Sequence, residues 1–221
     1  MRFLRLMLAA TALLAFTASA TSRAAEIRDG AGYQTLASPV RADTGKKVEV
    51  IEFFMYTCPH CNVLDPMLSE WVKKQGDKIA FRRLHFPAGG EKDPLAHAYI
   101  TLEAMGQVEQ FHQKFFNAIH VQRERIYRSD EQVLDFLVKN GIDKAKYQQF
   151  FNSFGVLTKL KRLTATIGAY KVESAPTIVV DGRYVTSPSI AGGPGMPELQ
   201  AGKNTLAVLD ALVAKAAAEK K

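Results

Sequence analysis

Val48-Glu49-Val50-Ile51-Glu52-Phe53-Phe54-Met55-Tyr56-Thr57-Cys58-Pro59-His60-Cys61 is the stretch on which the reading of this chain turns. Its first seven residues form a largely apolar run, interrupted by Glu49 and Glu52, as in a buried strand. Beyond the second cysteine, Val63, Leu64, Met67, Leu68, Trp71 and Val72 recur at helical spacing. A strand therefore hands over to a helix at Cys58. Pro59 falls at the first helical position, where its missing N–H is no loss and its fixed φ suits the turn. Pro66 removes the N–H that would bond Asn62, which predicts a kink in this helix.

Cys58 and Cys61 are the only cysteines, so any sulfur chemistry must pass between them. One helical turn brings the two sulfurs within bonding distance. At a helix N-terminus the unpaired amides and the macrodipole favour an anion, so the thiolate of Cys58 gains over the thiol. His60 adds a positive charge when protonated, or a hydrogen bond when neutral. Both push the pKa below the free-thiol value of about 8.5, and a thiolate stabilised in this way leaves readily. Two other readings are weaker. Structural zinc requires four ligands, and no second cysteine pair or H-x-x-x-H follows. A purely structural disulfide across four residues would restrain little of the unfolded chain.

The N-terminus bears on the direction of electron flow. Arg2 and Arg5 precede an apolar stretch over 6–16 and then Ala18-Ser19-Ala20, which has the three parts of a secretory signal peptide. The apolar core is too short to span a bilayer. Cleavage is expected between Ala20 and Ala25, so residues 1–25 are assigned to the signal. The mature chain is expected in the periplasm, an oxidising space where disulfides form. Removing 1–25 takes away three arginines and no acid, so the net charge falls from +7 to +4. That mild surplus, scattered among acids, points to no nucleic-acid partner.

The mature length suits one domain carrying an insertion. Residues 79–86 alternate like a strand, giving β-α-β with a parallel crossover. From 94 to 154 the pattern is helical throughout, with turn and cap signals at Gly106, Ser129-Asp130-Glu131 and Asn140-Gly141. A further helix over 155–170 leads to a hairpin, 177–180 and 183–185, around Asp181-Gly182. A last helix is expected over 204–218. Without the helical module the order is β-α-β-α-β-β-α, that of thioredoxin. The fold class is therefore α/β, thioredoxin-like with an inserted all-helical domain: 26–87 and 155–221 form the thioredoxin-like part, and 88–154 the insert.

Phe53 to Cys61, the signal peptide, the helical insertion after the second core strand, Ala175-Pro176 before the hairpin, and Tyr33-Gln34-Thr35-Leu36 together resemble the DsbA family of periplasmic thiol:disulfide interchange proteins. The resemblance covers nearly all of the mature chain. It implies that Cys58 exchanges with substrate, that Cys61 resolves, and that a membrane partner of DsbB type reoxidises the pair. It implies a cis bond at Pro176, packed beside the cysteines, with the backbone near Ala175 free to pair with an extended substrate. Many family members carry valine where this chain has Ala175, a departure that bears on substrate grip. In relatives an acid at the position of Glu52 lies beneath the cysteines and assists proton movement. The other reading of Glu52 is a strand-end side chain reaching solvent.

Asp65, one turn beyond Cys61, is read as solvated. His85, His97, His112 and His120 lack metal spacing and are read as surface or cap residues. Phe111, Phe115 and Phe116 are read as core, and 192–197 as a loop. The expectation is a monomeric periplasmic dithiol oxidase, without metal or cofactor, acting on reduced secreted or periplasmic proteins. Pro59, His60 and Glu52 are assigned to tuning the thiolate, and Ala175 and Pro176 to binding substrate. The runner-up within the fold is an isomerase or reductase, against which no dimerisation domain precedes the fold. A redox-inert holdase or scaffold using the helical module is the reading from another class.

Overall fold

A computed structural model describes residues 27–220. The signal-peptide assignment lies outside the described residues. The elements are β1 (Arg28–Asp29), β2 (Gly32–Thr35), β3 (Val48–Phe54), α1 (Pro59–Gln75), β4 (Ile79–His85), α2 (Pro94–Ala104), α3 (Val108–Phe116), α4 (Asp130–Lys139), α5 (Lys144–Phe151), α6 (Phe154–Ala169), β5 (Thr177–Val180), β6 (Tyr184–Thr186), α7 (Pro188–Gly192) and α8 (Glu198–Glu219).

Six strands form one mixed sheet in the order β1-β2-β6-β5-β3-β4. β3 pairs parallel with β4, Val48 opposite Ile79, and antiparallel with β5. All seven residues of β3 are buried, as an apolar run at the centre of a two-sided sheet requires. On one face, Val48, Val50, Ile178 and Val180 pack with Leu64 and Leu68 of α1 and Val208, Leu209 and Leu212 of α8. On the other, Ile51, Phe53 and Val179 pack with Ala96 and Ile100 of α2 and Leu160, Leu163 and Ile167 of α6. A third cluster fills the helical module: Phe111, Phe115 and Phe116 of α3 meet Leu102, Val133, Leu137 and Tyr147, and it extends to Phe54, Tyr56 and both cysteines. Tyr56 stacks on Phe115 at 4.6 Å between ring centroids and stands edge-on to Phe54 at 4.9 Å.

The thioredoxin-like order and the helical module are present as expected. The N-terminal β1 and β2 are additions, β2 pairing antiparallel with β6 at Gln34–Val185. α8 begins six residues earlier than the expected 204, capped at Pro197. α1 runs as one helix through Pro66. At the β5–β6 turn, Gly182 has φ of +63°, and a Cβ there would lie 1.7 Å from the carbonyl oxygen of Val40. The Val40 N–H donates to the Gly182 carbonyl at 2.9 Å, so the chain crosses the hairpin tip where only glycine fits.

Candidate active site

Cys58 is the residue just ahead of α1. Its φ of −81° and ψ of 118° are extended, and Pro59 occupies the first turn. No side chain caps this helix end, so its leading amides are left to the sulfur. The pKa of Cys58 is lowered to about 6. The largest cause is a hydrogen bond from the Cys61 thiol, followed, against the opposing effect of burial, by the amides of Cys61 and His60 and the charge of His60. Cys61 moves the opposite way: donating to Cys58, buried, and facing its charge, it holds its proton far more tightly than a free thiol. Both cysteines carry free thiols. Neither is openly exposed, Cys58 at 7 % and Cys61 at 0 %.

The Cys58 Sγ also lies 3.4 Å from the Ala175 carbonyl oxygen. Ala175-Pro176 is a cis peptide bond immediately before β5. This geometry brings the loop ahead of β5 against the first cysteine, 117 residues away in sequence. His60 is exposed, and its Nδ1 contacts the Glu198 carboxylate in the first turn of α8. That hydrogen bond is the main reason the pKa of His60 is raised, with the charges of Glu198 and Cys58 adding to it. Nothing in the local sequence around Glu198 marks it as a partner of His60.

Behind the cysteines lies a buried polar network. Glu52, in the centre of β3, accepts from Arg83 Nε at 2.7 Å. Arg83 Nη2 donates to Asp65 Oδ1 at 3.2 Å and to Ser69 Oγ at 2.9 Å. His112 Nε2 lies 2.8 Å from Asp65 Oδ1, and Gln113 donates to the other Asp65 oxygen. His112 Nδ1 lies 3.0 Å from the Tyr56 hydroxyl. Asp65 is thus not solvated but 1 % exposed, because Arg83 and His112 converge on it from β4 and α3. Burial works to raise its pKa, but the hydrogen bond and charge of His112 and the charge of Arg83 outweigh it, and the carboxyl is held below its usual range. Glu52 does not reach solvent either. Burial raises its pKa despite Arg83, and its charge is one of the causes that raise the pKa of Cys61.

The histidines also depart from the surface reading. His85 is buried, accepts the Tyr56 N–H on Nε2 at 3.3 Å, and burial pushes its pKa down to about 4. His97 is buried, its ring stacked on Phe151, and His112 sits inside the network. His120 is half-buried, with Nε2 at 2.8 Å from the Tyr56 carbonyl oxygen. It lies in the wide helical turn Asn117–Val121 that follows α3. Apolar and aromatic neighbours fix three of these rings, and only long-range contacts reveal them.

A model of the DsbA-like thioredoxin domain matches residues 49–201. The chain belongs to the DsbA-like thioredoxin family. Among its DsbA relatives, the thiol:disulfide interchange protein DsbA of Pseudomonas aeruginosa is 35% identical over 95% of this chain and 97% of its own length. That of Bordetella parapertussis is 35% identical over 84% of this chain and 87% of its own. The crystal structure of Pseudomonas aeruginosa DsbA superposes with a TM-score of 0.76 at 33% identity, covering 87% of this chain and 96% of the other. This DsbA-like chain carries its only cysteine pair inside the matched region, and it is a thiol:disulfide oxidoreductase.

Proposed function

We propose that the protein is a periplasmic dithiol oxidase that donates a Cys58–Cys61 disulfide to reduced secreted proteins. The opposed pKa values of the two thiols, Cys58 lowered to about 6 and Cys61 raised, carry this reading. DsbA proteins are themselves the usual illustration of such a depressed cysteine.

A substrate thiolate attacks Cys58 Sγ of the oxidised enzyme. The Cys58–Cys61 bond breaks, a mixed disulfide forms, and Cys61 leaves as a thiolate that takes up a proton, in keeping with its raised pKa. A second substrate thiolate then attacks the substrate sulfur of the mixed disulfide. Substrate leaves oxidised by two electrons, and Cys58 leaves as the stabilised thiolate. Because the reduced enzyme is the stabilised form, electrons run towards it. In this reading Pro59 leaves the helix start open, His60 adds charge, and Glu52 acts beneath Cys61. The Ala175 carbonyl and Pro176 flank the sulfur where an extended substrate would lie.

Reoxidation falls to a membrane partner of DsbB type, and the working unit is a monomer. Residues 88–154 act as an insert in a thioredoxin-like domain made of 26–87 and 155–221, a division supported by the apolar cluster that gathers α2 to α5 over Phe54 and Tyr56. An isomerase, a reductase or an inert holdase is less well supported, since the relatives of this chain are thiol:disulfide interchange proteins of DsbA type. Equilibrating the protein with glutathione tests the reading. The dithiol should persist at glutathione disulfide levels that would oxidise an ordinary thiol pair, and Cys61→Ala, its Cys58 first converted to a mixed disulfide with glutathione, should exchange onto a reduced client thiol as the glutathione thiolate leaves, and hold that client. A pair that glutathione oxidises readily, or a Cys61→Ala protein that traps nothing, would overturn it.

A further inference from the structure

His60 is half of a pair. Its partner lies 138 residues away, on an element that otherwise belongs to the opposite end of the chain. Glu198 is the first residue of α8, where a carboxylate is favoured by the helix dipole, and Pro197 ahead of it fixes the entry of the helix. The side chains are 64% and 42% exposed, so the pair adds little to stability. Its effect must be sought in the charge of the imidazole. An unpartnered histidine has a pKa of about 6.5, so only about a quarter of it is cationic at pH 7. The groups that act on His60 are Glu198 from α8 and Cys58 of its own segment, and both favour the cation.

We infer that Glu198 is a positioning residue for the redox pair: by hydrogen-bonding His60 it keeps the imidazole oriented and protonated beside Cys58, and so helps to make the thiolate a good leaving group. This deepens the oxidase reading and rests on it. Glu198 acts on the sulfur only through His60.

Two opposite signs are possible in principle. Glu198 is itself an anion, and acting directly on Cys58 it would raise the thiol pKa, so that removing it would lower the pKa. Acting through His60, its removal does the reverse. The test is Glu198→Gln in the full mature protein, read by thiolate ultraviolet absorbance against pH and by an NMR titration of the His60 ring. The expected result is a lower His60 pKa, a higher Cys58 pKa, and a dithiol about twofold to fivefold easier for glutathione disulfide to oxidise, the size expected of a partial charge near a protein surface. Glu198→Asp should restore part of the shift.

In a His60→Ala background, Glu198→Gln should add nothing, since the route through His60 is gone. An unchanged or lowered Cys58 pKa in Glu198→Gln would overturn the inference, as would a full effect in the His60→Ala background. These readouts separate it from the oxidase reading, because wild-type equilibration with glutathione decides that reading whatever Glu198 does. The fold is not at stake, as both side chains are at the surface.

Discussion

Stability of the reduced protein should depend on pH in a way that the oxidised protein cannot share. Cys58 titrates only when the disulfide is open. Its folded pKa is about 6, against about 8.5 in an unfolded chain. A depressed folded pKa contributes stability that is complete above the unfolded value and is lost as pH falls through the folded one. Linkage then gives the reduced form almost nothing at pH 4, about 1.4 kcal/mol at pH 7 and about 2.5 kcal/mol at pH 8. The value at pH 7 corresponds to about a factor of ten in the equilibrium with glutathione. Cys61, which also titrates only when the disulfide is open, offsets a little of this towards pH 8, because its raised pKa carries the opposite sign. Other groups, His85 among them, titrate in both forms and cancel. Urea unfolding of the two forms at pH 4, 6, 7 and 8 measures the difference directly, provided that the m-values agree. If the reduced form gains less than about 0.5 kcal/mol on the oxidised form between pH 4 and pH 8, the thiolate is not stabilised as described.

Asp65→Ala should cost about 3–5 kcal/mol in urea unfolding, because it leaves the Arg83 guanidinium short of a buried partner; a loss under 1 kcal/mol would mean that water enters and satisfies the network. Gly182→Ala should cost about 3 kcal/mol or more from backbone strain and the clash with Val40, and a near-neutral melting temperature would refute the close approach. Iodoacetamide at neutral pH should label Cys58 and spare Cys61, since only Cys58 is substantially thiolate there, and mass spectrometry of the modified peptide identifies the residue.

Periodicity carried the elements with long apolar patterns. β3, β4 and α6 could be placed to within a residue or so, and α1 at its start, because a strand buried throughout leaves an apolar run and a helix with one buried face leaves apolar residues at helical spacing. β1 and β2 could not be read, since they are two and four residues long and mostly exposed. The early turns of α8 were missed for a related reason: Leu199 points outward and Gly202 contributes no apolar side chain, so helical spacing becomes visible only from about Asn204. At the site, the cysteine spacing and Pro59 could be read locally. Asp65 could not. An aspartate on a helix surface and an aspartate in a buried ion pair look alike until Arg83 and His112 arrive, 18 and 47 residues further on. Glu198 escaped for the same reason.

The contact of His112 and Gln113 with Asp65 has a consequence for protein engineering. Apolar faces can slide past one another or be resurfaced, but these hydrogen bonds attach the helical module to α1 at one register only. Deleting the module to make a minimal thioredoxin would strip Asp65 of two donors and leave Glu52 and Asp65 facing the single guanidinium of Arg83, while uncovering Phe54 and Tyr56. A trimmed scaffold would therefore need a neutral residue at 65 and polar replacements for those rings before it could fold. Transplanting the module onto another thioredoxin would need an acid at the matching helix position to receive it.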